Sequence, residues 1–197
     1  MIEISGLHKS FGSKQVLNGV DLTINKGECL AIIGRSGCGK SVMLKHIVGL
    51  LYPDKGTVRV EGELIQELNI ADLYRIRRKF GFLFQGAALF DSMTVGENIA
   101  LPLVENDYNY SEEKLKKIIA EKLSLVGMKD IENLKPSELS GGMKKRVGLA
   151  RALATEPEYI LYDEPTTGLD PIMSDSIDEL IKELNDKLDV TSIIITH

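Results

Sequence analysis

Two strings in this chain carry residue types that handle phosphate. GRSGCGKS (34–41) fits the pattern G-x-x-x-x-G-K-S/T. Glycines at that spacing let successive backbone N–H groups converge on phosphate oxygens, and a helix starting directly afterwards adds the positive end of its dipole. Gly34, Arg35, Ser36, Gly37, Cys38 and Gly39 make the turn. Lys40 is placed to reach the β- and γ-phosphates, and Ser41 to offer its hydroxyl to Mg²⁺. Cys38 reads as a small loop residue. YILYDEP (159–165) supplies the other half. Asp163, at the end of an apolar strand, is a hard oxygen ligand for Mg²⁺ opposite Ser41. Glu164 points elsewhere and is suited to polarise an attacking water as general base. An acidic strand end alone is a weak signal; paired with the glycine loop it describes a site that binds a nucleoside triphosphate and cleaves it.

ELSGGMKKR (138–146) is a third chemical feature. Ser140 is a good helix N-cap, and Gly141 and Gly142 leave the first amides of that helix bare, which makes a second anion-binding helix start. A domain that already has one phosphate cradle has no use for another on its own nucleotide. The surplus is explained if it closes on the nucleotide of a second copy, so that a two-fold homodimer buries two ATP molecules.

The elements that must position these strings follow from hydrophobic periodicity. Ile2 and Ile4, Val16 and Leu17, then Leu22 and Ile24, with turn residues between them, read as antiparallel strands. CLAIIG (29–34), GFLFQ (81–85), YILYDEP and TSIIITH (191–197) are continuous apolar runs, as expected of strands buried on both faces. SVMLKHIVGLL (41–51) is expected to form a largely buried helix, TVRVEGE (57–63) a strand, and residues 174–188 a helix. The pattern turns helical from Ala87 to about Leu153. There Ser111 caps a helix with Glu112 and Glu113 in its first turn, an apolar stripe runs from Leu115 to Val126, and Gly127 stops it. This order predicts an α/β fold: a mainly parallel sheet covered by helices on both faces.

Bulk properties agree. The 197 residues, 43% hydrophobic and 27% charged, suit one domain. A net charge of −5 argues against a nucleic-acid partner, which requires a basic face. No run reaches the ~18 apolar residues of a membrane span, and the N-terminus lacks a secretory pattern. Cys29 in a buried strand and Cys38 in a glycine loop suggest no disulfide, hence a reducing cytosol.

With these residues in place, the chain resembles the ABC transporter ATPase family over its whole length. The family's motifs occur in order: GRSGCGKS, Gln85 after GFLF, LSGG, ILYDEP, GLD and a terminal histidine. The resemblance implies a P-loop NTPase with a RecA-like core. It places an antiparallel β subdomain at residues 1–28 and 57–70 and a helical subdomain at 87–153. Phe11 matches the aromatic that stacks on adenine, although a core phenylalanine of the first sheet would look the same. Gln85 matches the glutamine that reaches Mg²⁺ and water and senses a membrane partner. Asp170 matches a loop residue that crosses the dimer interface, and His197 the histidine that contacts the γ-phosphate. His8 reads as a surface residue and His46 as a helix-packing one.

Within the family, SVMLKHIVGLLYPDKG, FQGAALFDSMTVGENIALPL, SGGMKKR and TTGLDPIMSD are similar to the ATPase subunit of Mla-type phospholipid transporters. Those subunits work with an integral-membrane permease and an MCE-domain lipid carrier, from the cytoplasmic face of the inner membrane. Met143, where the wider family has glutamine, fits this subgroup. Leu89, Phe90 and Met93 are candidates either for a groove that takes a permease helix or for the core of the helical region. Three rivals stand: an ABC ATPase for amino acids, peptides or ions; a DNA- or ribosome-acting relative; and a nucleotide kinase. Only about 54 residues separate Gln85 from Ser140, with no heptads between them, there is one cassette, and a kinase has no reason to carry LSGG. Domains of the family usually continue beyond the histidine that stands last here, and a histidine at a free end is expected to fray.

Mg-ATP at ~100 times its dissociation constant is expected to stabilise the fold by about 2.7 kcal/mol in a thermal melt. Lys40→Ala is expected to abolish both the shift and ATP binding; an unchanged affinity in that variant would contradict the loop assignment.

Overall fold

The computed structural model describes residues 1–106 and 108–197. The first strands obey their alternation. β1 (Ile2–Phe11) buries Ile2, Ile4 and Leu7, turns through Gly12 and Ser13, and pairs antiparallel with β2 (Lys14–Ile24). β3 (Cys29–Ile33) leads through the glycine loop into α1 (Lys40–Ile47). β4 (Lys55–Val60) then returns to the outer side of β1 and is followed by the short β5 (Glu63–Leu64). The resulting antiparallel sheet has the order β2-β1-β4-β5. Gly56 makes its close pairing possible, because a Cβ there would lie 2.1 Å from the Gly6 carbonyl oxygen.

α2 (Ile70–Arg77) is a helix that periodicity alone passed over. Asn69 starts it, accepting a hydrogen bond from the Asp72 amide at 2.9 Å, and only Leu73 and Ile76 are buried, too few for a visible stripe. β6 (Phe80–Leu83) follows. The expected helical stretch from Ala87 begins instead as a loop. α3 (Val95–Glu105) starts only at the capping box of Thr94 and Glu97, a T-x-x-E signal present in the sequence. α4 (Glu112–Leu125) has Ser111 as its cap, with the Ser111 hydroxyl accepting from the Lys114 amide. α5 (Gly141–Leu153), β7 (Tyr159–Asp163), α6 (Pro171–Leu188) and β8 (Thr191–Thr196) complete the chain. α6 begins earlier than its apolar pattern suggested, because Asp170 caps it and Pro171 occupies its first position.

The second sheet is parallel throughout, with order β3-β8-β7-β6. Its two faces feed separate cores. Ile160, Tyr162 and Ile194 belong to the core built with α3, α4, α5 and α6. Tyr159, Leu161, Ile193 and Ile195 belong to the core shared with α1, α2 and the antiparallel sheet. One expectation fails here. β3 lies at the edge of this sheet, and the face carrying Cys29, Ala31 and Ile33 is exposed while Leu30 and Ile32 on the other are partly buried, so the strand is not covered on both faces. A continuous apolar string does not reveal whether both faces of the strand are covered.

β6 is held tightly under α5. A Cβ on Gly81 would lie 2.4 Å from the Ala152 carbonyl oxygen. Gly81→Ala should therefore cost about 1–3 kcal/mol in denaturant unfolding, since backbone rather than a movable side chain must give way. A variant with an unchanged midpoint would contradict this contact.

Candidate functional site

The glycine loop closes on its own lysine. Gly37 (φ 74°) and Gly39 (φ 102°) take left-handed backbone, and a Cβ on Gly39 would lie 2.9 Å from the Val16 carbonyl oxygen, so β2 backs the loop closely. The buried Lys40 ammonium donates to the carbonyl oxygens of Gly34 (2.6 Å) and Arg35 (3.1 Å). Arg35, Ser36 and Cys38 are exposed on the crest of the loop. At the start of α1, the Ser41 hydroxyl donates to Asp163 Oδ1 at 2.6 Å, joining two strings 122 residues apart.

Beside that bond stands Glu164, the residue with the most constrained backbone in the site. Its φ is 50°, a left-handed conformation that costs a side-chain-bearing residue of order 1–3 kcal/mol. Its amide donates to the Ile195 carbonyl at 3.1 Å. Its carboxylate accepts from Gln85 Nε2 at 2.7 Å and from the Thr167 hydroxyl at 3.1 Å. The other carboxylate oxygen lies 2.9 Å from His197 Nε2. The terminal histidine, expected to fray, is thus placed against Glu164 in this structure. The structure thus brings together Lys40, Ser41, Gln85, Asp163, Glu164 and His197 from four separate segments.

A cavity of about 290 Å³ opens beside the loop, lined by Phe11, Lys14, Gly37, Lys40, Ser41 and Glu164, with Val16 and Val42 as apolar wall. Phe11 is 47% exposed, so it is not a core phenylalanine; it lines this cavity, with Lys9 Nζ 5.8 Å from its ring centroid. Lys14 lies directly opposite Phe11 in the β1–β2 register. Sequence reasoning missed it, although the two-residue turn at Gly12 and Ser13 already dictates that pairing. Thr167 was missed as well, and three-residue spacing from Glu164 is too common to serve as a signal.

The oxygen donors fit Mg²⁺. Ser41 contributes a hydroxyl, Asp163 a carboxylate and Gln85 a side-chain amide, all hard ligands. Among the described residues no group of three His, Cys, Asp or Glu side chains forms a metal cage. That suits an ion that takes most of its ligands from water and substrate phosphate.

Ser140, Gly141, Gly142 and Asp170 do not line the cavity. Ser140 caps α5, its hydroxyl accepting from the Met143 amide at 3.3 Å, and Ser140 and Gly141 are exposed. A Cβ on Gly142 would lie 2.0 Å from Met173 Cε, and one on Gly141 3.3 Å from Leu169. Asp170, also exposed, accepts from the Met173 amide at 3.0 Å as the cap of α6. Two helix starts, α5 and α6, are thereby packed into one surface separate from the phosphate loop.

Behind Gln85 the chain passes through Ala87 (φ 60°) and Ala88 (φ 47°), both left-handed. Arg151 of α5 holds them, donating to the Ala87 carbonyl at 2.6 Å and the Ala88 carbonyl at 2.7 Å. Lys145 of the same helix donates to the Gln85 carbonyl. Burial pushes the Lys145 ammonium down from the ordinary lysine value, against the opposing pull of Glu164 and Asp163. Beyond the two alanines a groove of about 400 Å³ is lined by Phe80, Phe82, Phe84, Phe90, Leu101 and Pro102, with Glu105 and Arg151 at its polar side. Of the three residues expected to share this role, only Phe90 lines the groove, and Leu89 packs against the helical core.

A family model described as ABC transporter matches residues 17–167. The chain is 47% identical over 196 residues to the "Probable ribonucleotide transport ATP-binding protein mkl" of Mycobacterium tuberculosis, a match that covers 100% of this chain and 54% of mkl. It is 41% identical over 197 residues to the intermembrane phospholipid transport system ATP-binding protein MlaF of Haemophilus influenzae, covering 100% of this chain and 74% of MlaF. The chain thus spans about half the length of mkl and about three quarters of MlaF. The dimeric post-hydrolysis structure of the ATP-binding cassette MJ0796, bound to ADP and Pi, superposes with a TM-score of 0.90 at 37% identity, over 100% of this chain and 88% of that one. With the glycine loop, the Asp163–Glu164 strand end and the capped Ser140 turn in the arrangement described, the chain belongs to the ABC transporter family, whose ATP-binding cassette fold it shares.

Proposed function

We propose that this chain binds Mg-ATP, closes face to face on a second copy around two nucleotides, and hydrolyses them to drive an integral-membrane permease. The observation that supports this reading is the separation of two surfaces whose residue types suit phosphate. One is the loop with its Ser41–Asp163 and Gln85–Glu164 contacts, and the other is the exposed Ser140–Gly141 turn beside Asp170. A single protomer places only the first around its own cavity; a two-fold pair gives the second a ligand. In this organisation residues 1–28 and 57–70 are the antiparallel subdomain, 87–153 the helical subdomain, and the remainder the RecA-like core.

Phe11 offers a ring face to adenine, and Lys14 and Lys40 supply positive charge on either side of the phosphates. Ser41, Asp163 and Gln85 would hold Mg²⁺, which when bound offsets the negative charge on the phosphate oxygens. Glu164 takes a proton from the attacking water, with Gln85, Thr167 and His197 orienting its carboxylate. His197 then faces the γ-phosphate. Asp170 meets the partner copy. The groove behind Ala87 and Ala88, with Phe90 51% exposed, takes an apolar helix of the permease, and Arg151 ties its wall to the Ala87 and Ala88 carbonyls that follow Gln85.

Phospholipid is the substrate that the Mla-like strings and the MlaF match favour, with an MCE-domain lipid carrier in the assembly. The name of mkl refers to ribonucleotide transport, which keeps a different small substrate as the second reading. No helix among the described residues is long and apolar enough to cross a membrane. The chain acts in this reading as a peripheral subunit on the cytoplasmic face, and its net charge of −5 speaks against a nucleic-acid partner.

Glu164→Gln should retain ATP, lose turnover by two orders of magnitude or more, and shift to a dimer on size exclusion with Mg-ATP. A fully active variant would remove Glu164 as the base. From detergent extracts the chain should co-purify with a permease and an MCE-domain protein. Recovery of a permease with no MCE protein would favour the second reading, and recovery on ribosomes or DNA would end the transport assignment.

A further inference from the structure

Lys145 is a lysine only 5% exposed, and its ammonium sits where two functional segments meet. It donates to the carbonyl oxygen of Gln85 and lies 3.4 Å from the carbonyl oxygen of Glu164. Those are the backbones of the two residues whose side chains bond each other at 2.7 Å. One group therefore sets the separation of the glutamine and the carboxylate that bracket the water in the hydrolytic reading. Glu164 needs such an anchor, because its left-handed backbone persists only if neighbouring contacts over-determine it.

A buried ammonium is costly, and lysine is rarely buried without a partner. The oxygens that Lys145 finds are backbone carbonyls. An amide side chain could bond the same carbonyls without burying a charge, so hydrogen bonding alone does not require an ammonium here, where Asp163 and Glu164 favour it. The rest of the helix face explains the direction of reach. One turn further along α5, a Cβ on Gly148 would lie 2.9 Å from Leu83 and 3.1 Å from Ala87, so the helix is pressed against the 83–88 segment. Arg151 then takes the carbonyls of Ala87 and Ala88. Of these three positions only Lys145 touches both members of the Gln85–Glu164 pair.

We infer that Lys145 is a positioning residue for hydrolysis, which fixes Gln85 and Glu164 relative to each other and to the Ser140 turn that starts its own helix. The inference rests on Glu164 being the base. It gives the turn that reads a second copy's nucleotide a rigid connection, little more than one helical turn long, to the hydrolytic pair of its own chain.

The test compares Lys145→Met, Lys145→Gln and Glu164→Gln in the full chain, with steady-state ATPase kinetics and thermal melts in Mg-ATP. Lys145→Met should lose at least tenfold in kcat with KM within threefold of the parent and a melting temperature within a few degrees. Lys145→Gln, which keeps two N–H donors, should recover kcat to within threefold. A Lys145→Met variant with parental kcat overturns the inference. So does one that fails to fold or loses ATP affinity along with turnover, since either assigns the ammonium to structure alone, and so does a Lys145→Gln variant as slow as Lys145→Met. A fully active Glu164→Gln variant would instead sink the base assignment. An inactive Glu164→Gln beside an unaffected Lys145→Met rejects Lys145 alone.

Discussion

Strand β7 is buried along its whole length, with Ile160 and Tyr162 in the helical core and Tyr159 and Leu161 in the core shared with α1 and the antiparallel sheet. Each fully buried side chain of this size contributes about 1.5–3 kcal/mol of transfer free energy, so the strand is anchored from both faces. Its C-terminal end is consequently a fixed point, and Asp163 and Glu164 emerge there. Ser41 is bound to Asp163 across the sheet, and Gln85 to Glu164 from the neighbouring β6. Loosening β7 would move Asp163 and Glu164, the proposed metal ligand and base, together.

Around that fixed point the backbone is held in conformations that most residues avoid. Glu164, Ala87 and Ala88 all have positive φ, and none is glycine. Such backbone survives because other groups pin it. The Ile195 carbonyl and the Lys145 ammonium hold Glu164, and Arg151 holds the two alanines. Two cations on one helix, the buried Lys145 and the half-buried Arg151, thus direct their charge at carbonyl oxygens. Helix α5 emerges as the element that joins the glycine turn at its start, the glutamine loop on its flank and the apolar groove near its end.

The glycines of α5 and β6 make this junction possible by absence of side chain. Gly81 lets β6 pass under Ala152, Gly148 lets the helix meet Leu83 and Ala87, and Gly142 leaves room for Met173. The close approach draws α5 against both the β6 edge and the start of α6. A displacement of any of these three segments is therefore felt by the other two, since packed interiors transmit strain rather than absorb it.

The chemistry of this protein was legible in short strings because phosphate binding imposes local rules. A glycine loop between strand and helix, an Asp-Glu strand end and a capped glycine turn each need residues within a few positions of one another, so Lys40, Ser41, Asp163, Glu164 and Ser140 could be nominated by reading alone. The parallel strands and most helix starts were equally accessible through alternation and caps. What the sequence could not contain was adjacency between distant segments. The edge position of β3, the exposure of Phe11 with Lys14 across from it, the grip of His197 on Glu164, and the reach of Lys145 and Arg151 to the 85–88 carbonyls arise only when the strands are ordered and α5 is laid against them. A backbone carbonyl carries no residue identity, so a lysine or arginine that binds one leaves no pattern to read. Local constraint writes itself into spacing, whereas long-range packing is settled by the shape of the whole core.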